Sequence, residues 1–452
     1  MQAEAAERVG ADLVTLFARR DRDGLVIVDT GADSWFRVAW LPIPTGAAGL
    51  ARRPGAILAD AVDADAALVI SDSLTDEQVT ALLQGWRLGG YRFRLPGGRS
   101  RSDEAAGSLT VGRSTPDRPA AESLTSSVLL ARDLGNTPSN IKSPQWLADR
   151  VVSAGKKAGL RTSVLDAEAL RRAGCGGILA VGGGSARPPA MVTLRSKGSG
   201  PRVVLIGKGV TFDSGGLSLK PADSMALMKT DMAGAAAVAG AMLAYAAQPG
   251  RNGDADVWAL LPMAENAVSG RSYRPGDVIT HPDGRTSEVA NTDAEGRLLL
   301  ADALSYARGR LDPAVMIDAA TLTGAATLGL SRHYAALYSD VESLAAQLER
   351  AGEASGDAVW RMPLRDSYLS ALGSEIADTS QVSVDPGMRA GSIIAALYLR
   401  QFAGDVPWAH IDMAGPARAD KPRGEHPVGA TGFGVRLLAT WLRTADLGRV
   451  VR

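Results

Sequence analysis

The chain has 452 residues, with 49 basic and 49 acidic side chains and therefore no net charge. Hydrophobic residues make up 46% and charged residues 22%, the balance of an ordinary water-soluble globular chain. Neutrality removes the general electrostatic case for a nucleic-acid or anionic-membrane partner, and no apolar run approaches the ~18–20 residues that span a bilayer. The first eight residues carry early acids and no apolar run, so they do not read as a signal peptide. A length of 452 predicts two domains rather than one core. Residues 25–28 and 67–70 read as buried strands. Thr75 followed by Gln78 predicts a capping box that opens a helix to about Leu88. Residues from about 97 to 122 are rich in Gly, Ser, Arg, Asp and Pro, lack periodicity, and are expected to be a linker. The division is then a small N-terminal α/β domain, 1–122, and a larger domain, 123–452. Cys175 is the only cysteine; flanked by glycines and without a positioned base, it reads as a buried, inert thiol in a reducing cytoplasm. Residues 203–206, 257–261 and 315–318 predict core strands, and the Ala-rich stretch from Ser224 to Ala247 predicts one long buried helix with Asp231 inside it. Strands alternating with helices predict an α/β fold with a mixed, largely parallel sheet covered by helices. Ligands on such sheets sit at the carboxyl ends of the strands.

Two segments carry unusual chemistry. In Asn291-Thr292-Asp293-Ala294-Glu295-Gly296-Arg297-Leu298, charges fall at alternate positions before a glycine and an apolar run. An extended backbone would aim Asp293, Glu295 and Arg297 at one spot. Such a group is costly unless an ion joins it. The second segment is Gly207-Lys208-Gly209-Val210-Thr211-Phe212-Asp213-Ser214-Gly215-Gly216, followed by Lys220 and Asp231. The chain strongly prefers arginine, yet Lys208, Lys220 and Lys229 crowd here. Lysine, unlike arginine, can give up its proton beside a cation. Asp213, Asp231, Asp293 and Glu295, with Lys208 as a nitrogen donor, form a hard, oxygen-rich set suited to Mn²⁺, Mg²⁺ or Zn²⁺. Four carboxylates exceed what one catalytic cation needs, which points to two bridged ions.

With these segments in view, the chain resembles the leucine aminopeptidase family of metallopeptidases, M17, from about Ala131 to the C-terminus. The resemblance is carried by both segments and by Arg132-Asp133-Leu134-Gly135-Asn136-Thr137-Pro138-Ser139-Asn140. Ser185-Ala186-Arg187-Pro188-Pro189, Thr321-Leu322-Thr323-Gly324 and Trp408-Ala409-His410-Ile411-Asp412 carry it further. It implies a phosphorylase/hydrolase-like catalytic domain and a leucyl aminopeptidase working in the cytoplasm as a homohexamer, a dimer of trimers, on peptides with a free N-terminus. It implies that Asp213 and Glu295 bridge two ions, that Asp293 completes one site, and that Lys208 and Asp231 complete the other. Lys220 would act at the scissile carbonyl. Arg297, with Leu322, would bind a bicarbonate that shuttles the proton. Met228, Thr321 and Gly324 would line the pocket for the first side chain. Two positions depart from the family: the first domain is short, and Gly183 stands where glutamine is expected.

Blander readings exist for each residue. Asp213 alone could make an Asx-turn, Asp231 could be a buried structural carboxyl, and Lys208 and Lys220 could be solvated. Asp293, Glu295 and Arg297 could be a surface ion network, and His410 reads as a core histidine. Other readings of the whole are a dipeptidase acting on Cys-Gly, a DNA-binding regulatory role, or another two-metal hydrolase such as a phosphoesterase.

Overall fold

The computed structural model describes residues 26–29, 37–40, 52–61, 66–68, 75–95, 109–111, 118–248 and 255–450. They fall into two units, Met1–Ala121 with Pro422–Pro427, and Glu122–Lys421 with Val428–Arg452. In the first unit, Val26–Asp29 pairs antiparallel with Arg37–Trp40. The helix Asp76–Gly89 starts as its sequence dictates: Thr75 Oγ1 accepts from the Gln78 amide at 3.2 Å, and Gln78 Oε1 accepts from the Thr75 amide at 2.9 Å. The expected linker is not wholly irregular. Leu109–Val111 is a strand paired in parallel with Ala66–Leu68, and a helix already begins at Arg118. The apolar, β-branched triplet finds a partner strand far away in sequence, which local composition cannot show. Residues 97–108 and 112–117 lie outside the described residues.

The second unit is built on a mixed sheet of nine strands among the described residues. In chain order these are β1 (Arg161–Leu165), β2 (Ala190–Ser196), β3 (Arg202–Gly207), β4 (Gly209–Asp213), β5 (Asp256–Asn266), β6 (Val315–Ala320), β7 (Ala335–Tyr338), β8 (Val359–Arg361) and β9 (Trp408–Asp412). The order across the sheet is β8-β7-β9-β6-β3-β5-β2-β1. The central four, β9, β6, β3 and β5, are mutually parallel, while β7 and β2 join them antiparallel. β4 also pairs with β5, so β3 and β4 form one line along β5, broken at Lys208 and bulged between Val210 and Phe212. Helices α1 (Pro144–Lys157), α2 (Ala233–Ala246), α3 (Glu295–Leu311), α4 (Gly391–Ala403) and α5 (Val435–Thr444) cover the sheet. Val204, Ile206 and Met316 pack in one cluster with Leu298 to Leu300 of α3 and with α4. The alternate residues Val203, Leu205 and Ile317 are equally buried and, by strand periodicity, face the other helical layer. A central strand buried on both faces must be apolar throughout, at roughly 1.5–3 kcal/mol for each Val, Leu or Ile.

The long helix expected over 224–247 is instead three pieces: Ala222–Met225, a 3₁₀ turn at Met228–Thr230, and α2. Its backbone groups are claimed elsewhere. The Lys229 carbonyl accepts from Lys142, and the Ala235 amide donates to the Lys208 carbonyl at 2.8 Å. Asp231 is therefore the residue that closes the 3₁₀ turn, not a mid-helix group. Helix and sheet touch through Gly234, where an added Cβ would lie 2.1 Å from the Ala319 carbonyl oxygen. Gly234→Ala is expected to destabilise the protein by about 1–3 kcal/mol, the usual range for overpacking against a rigid neighbour. Denaturant titration of the variant measures it, and an unchanged midpoint would contradict the packing.

Candidate metal centre

The carboxyl ends of β3, β4, β5, β6 and β9 lie at one edge of the parallel core, and the chemistry gathers there. Lys208 sits in the break between β3 and β4, its amide bonded to the Ala319 carbonyl at 3.1 Å. Its buried Nζ lies 2.9 Å from Asp231 Oδ2 and 2.9 Å from Glu295 Oε1, and donates to the Thr321 carbonyl at 2.8 Å. Asp213, the last residue of β4, lies with Oδ2 2.8 Å from Lys220 Nζ, which also pairs with Asp293. Asp213, Asp293 and Glu295 each offer an oxygen, and these oxygens lie within 4.8 Å of one another. All five expected ligands and Lys220 thus occupy one place. Residues nearly a hundred positions apart meet because the parallel strands all end on this edge.

The 291–298 segment reaches the site by a different geometry from the one expected. Residues 292–293 form a turn and Glu295 is the first residue of α3, so no extended alternation exists. The turn is imposed from outside: Gln381 Oε1 accepts from the Ala290 and Asn291 amides, and Gln381 Nε2 donates to the Ala294 carbonyl. Gly296 is inside the helix rather than at a turn. Its missing Cβ makes room for the Lys208 stem, since a Cβ there would lie 2.5 Å from Cε and 2.6 Å from Nζ. Arg297, one helical step on, is buried and donates from Nη1 to the Gln381 carbonyl at 2.7 Å. It does not share a face with Glu295, because side chains three or four apart on a helix, not two, lie together.

The electrostatics is that of carboxylates crowded out of water. Burial, then the Glu295 carboxylate, pushes Asp213 up to about 6 against the pull of Lys220 and Lys208. Burial raises Asp231 well above the ordinary carboxyl range, with Glu295 and Asp213 adding to it, and it raises Asp293 as well. Burial works against charge on Lys208, but Asp231, Glu295 and Asp213 outweigh it and hold the ammonium above its usual range. The same balance keeps Lys220 charged, with Asp213 foremost among its partners. Asp231 Oδ2, Asp293 Oδ1 and Glu295 Oε1 are buried and lack a hydrogen bond of regular geometry among the described residues, although a lysine faces each. Buried oxygens without a regular hydrogen bond, set around a buried amine, are a donor set for divalent cations. A cation there would depress the Lys208 amine and free its lone pair for coordination. Arg297 Nε is likewise buried without a partner, a donor suited to an anion.

Supporting residues hold the loops in place, and of these Asn266 and Tyr273 gave no sequence signal. Asn266, at the end of β5, donates to Asp213 Oδ1 at 2.8 Å and to the Thr292 carbonyl at 3.0 Å, tying the two loops together. Tyr273 OH donates to the same carbonyl at 2.7 Å, and Thr292 Oγ1 donates to the Gly215 carbonyl at 2.7 Å. Asp412, at the end of β9, accepts from Thr323 Oγ1 at 2.6 Å and from the Leu322 amide at 3.1 Å. That fixes the 321–324 loop, where Thr321 Oγ1 donates to Asp231 Oδ1 at 2.7 Å and Gly324 opens a short helix capped by Thr323. Arg187 bonds the Ser139 and Asn140 carbonyls and Glu265, and Ser139 Oγ donates to the Thr211 carbonyl. The 132–140 and 185–189 segments thereby brace β4 from behind its acid. His410 is a core residue, its Nδ1 2.5 Å from Asp318 Oδ1, and does not join the carboxylates.

Comparison with known proteins agrees with this geometry. The family model described as "Cytosol aminopeptidase family, catalytic domain" matches residues 129–439. A probable cytosol aminopeptidase of Syntrophotalea carbinolica is 46% identical over 375 residues, covering 80% of this chain and 74% of the relative. One from Geotalea uraniireducens is 39% identical over 443 residues, covering 95% and 87%. Among solved structures, the bottromycin maturation enzyme BotP in complex with Mn superposes with a TM-score of 0.83 at 36% identity, over 94% of this chain and 93% of that one.

Two outcomes are expected of the centre. Gly296→Ala displaces the Lys208 amine, so Mn²⁺ affinity and turnover should fall by about tenfold or more while circular dichroism stays native; unchanged affinity would sever the link between that glycine and the lysine. Because Asp213 keeps its proton up to about 6 in the metal-free protein, a metal must displace that proton at lower pH. Calorimetric Mn²⁺ affinity should therefore fall more steeply with pH below about 6 than above it, where the protons on Asp231 and Lys208 are the ones still displaced.

Proposed function

Because the chain belongs to the cytosol aminopeptidase family, we propose that it is a leucyl aminopeptidase that removes N-terminal residues from peptides with two divalent ions. Membership makes it a metal-dependent aminopeptidase. The finer reading rests on one observation: Asp213, Asp293 and Glu295 converge within 4.8 Å while Lys208 spans Glu295 and Asp231. That arrangement offers two adjoining sets of donors that share Asp213 and Glu295. Asp213, Glu295 and Asp293 would hold one ion, and Lys208 and Asp231 with the same Asp213 and Glu295 would hold the other, with Mn²⁺ or Zn²⁺ the expected occupants and Mg²⁺ a weaker one. Two such ions supply Lewis acidity, which acidifies water and polarises a carbonyl.

The chain's own groups do the rest. Lys220, kept charged by its carboxylate neighbours, donates to the oxygen of the scissile carbonyl as negative charge builds there. Arg297, with the Leu322 backbone, holds bicarbonate, which supplies the general base that no histidine supplies. Met228, Thr321 and Gly324 bound the pocket for the first side chain, with Thr321 also fixed to Asp231. A homohexamer in the cytoplasm is the form that the family resemblance favours. No helix of the described residues is long and apolar enough to cross a membrane.

Chelation is expected to abolish hydrolysis of leucine-arylamide, with recovery on adding Mn²⁺ or Zn²⁺. Glu295→Ala should keep its fold and lose more than about a hundredfold in kcat/KM; near-native turnover would overturn the assignment. Metal analysis should return two ions per subunit, and light scattering should return six subunits.

A further inference from the structure

Lys142 is fully buried, yet it hydrogen-bonds no carboxylate. Its Nζ donates to three backbone carbonyls, at 2.7 Å to Leu134, 3.4 Å to Gly135 and 2.5 Å to Lys229. Leu134 and Gly135 lie in the last turn of the helix Arg118–Asn136, where carbonyls lack helical partners and the helix dipole is negative. Lys229 lies in the Met228–Thr230 3₁₀ turn, and its own Nζ returns the contact by donating to the Asn136 carbonyl at 3.0 Å. The two lysines cross-brace one helix end to one turn. That turn closes on Asp231, whose amide donates to the Met228 carbonyl at 3.2 Å. Asp231 meets Lys208 and Thr321, and Met228 is the first residue of the same turn.

Burial, then the neighbouring Lys229, pushes Lys142 down to about 7 while Asp231 pulls it up, so the charged form depends on the geometry of its three acceptors. A compact ammonium has three donors that diverge in space, which suits three carbonyls from two segments; a planar guanidinium would not fit them. An apolar side chain of the same length would leave carbonyls buried without donors and free the turn to shift.

We propose that Lys142 is a positioning residue for the reaction: by holding the backbone of the Met228–Thr230 turn it sets the place of the Asp231 carboxylate and of Met228. This rests on the two-metal aminopeptidase reading above. Its consequence reaches metal affinity and side-chain preference together, although Lys142 touches neither metal nor substrate.

The test compares wild type with Lys142→Met and Lys142→Gln. Mn²⁺ binding is followed by calorimetry, and kcat and KM by aminoacyl-arylamides that differ only in the first side chain. Lys142→Met should stay folded, bind the weaker of two Mn²⁺ ions about tenfold less tightly or worse, and change its relative KM between leucyl and smaller substrates. Lys142→Gln, which keeps two N–H donors, should recover part of both. If both variants retain metal affinity, kcat and relative KM within about twofold and lose only thermal stability, Lys142 is a structural brace and the proposal is wrong. Should Lys142→Met fail to fold, the same readings on Lys142→Gln decide. Wild type that binds a single Mn²⁺, or that cleaves no substrate, defeats the two-metal reading instead; a shift in Mn²⁺ affinity between wild type and variants then still judges Lys142.

Discussion

Negative charge that cannot reach water is the constraint on which the rest depends. Asp213, Asp231 and Glu295 are buried and Asp293 is half-buried, all close enough to repel one another. Such a group persists only if cations sit among its members and if the backbone leaves its members no room to part. Lys208 and Lys220 provide the first condition within the chain itself. The fold provides the second: Asp213 ends a strand, Glu295 opens a helix, Asp231 closes a 3₁₀ turn, and Asp293 stands in the turn that Asn291 and Gln381 hold.

The same constraint explains why small and neutral residues matter near the centre. Gly296 leaves space for the lysine stem, and Gly234 lets a helix start against the sheet so that Lys208 and Asp231 come together. Asn266 and Gln381 are buried amides that span two loops each, and both can donate and accept at once. A charged residue in either place would add to the imbalance already present. The chemistry and the packing are therefore one problem, in which the residues that carry no charge hold the charged ones at their distances.

Much of the centre was legible because it needs rare residue types. Lysines in an arginine-rich chain and acids bordering apolar runs are visible in one dimension. So were the core strands at 203–206, 257–261 and 315–318, whose continuous apolar runs need burial on both faces, and the capping box at Thr75, whose bonds are local. The 291–298 segment was identified as a site on the wrong geometry. Alternation of charge matches a strand, but here a buried glutamine some ninety residues away bends the chain and starts a helix. The break at 224–247 was hidden for a similar reason, since alanine favours helix and only distant donors and acceptors interrupt it.

By itself the sequence determined the inventory: which groups can bind cations, which runs must be buried, and the local cap at Thr75 whose partner lies three residues on. Tertiary structure alone decided who meets whom. That Lys208 passes over Gly296, that Asp231 closes a 3₁₀ turn, and that Arg297 turns toward Gln381 rather than Asp293 are consequences of strand order and helix phase. Contacts between residues a hundred positions apart have no period, and a chain read in one dimension carries their energy without showing their address.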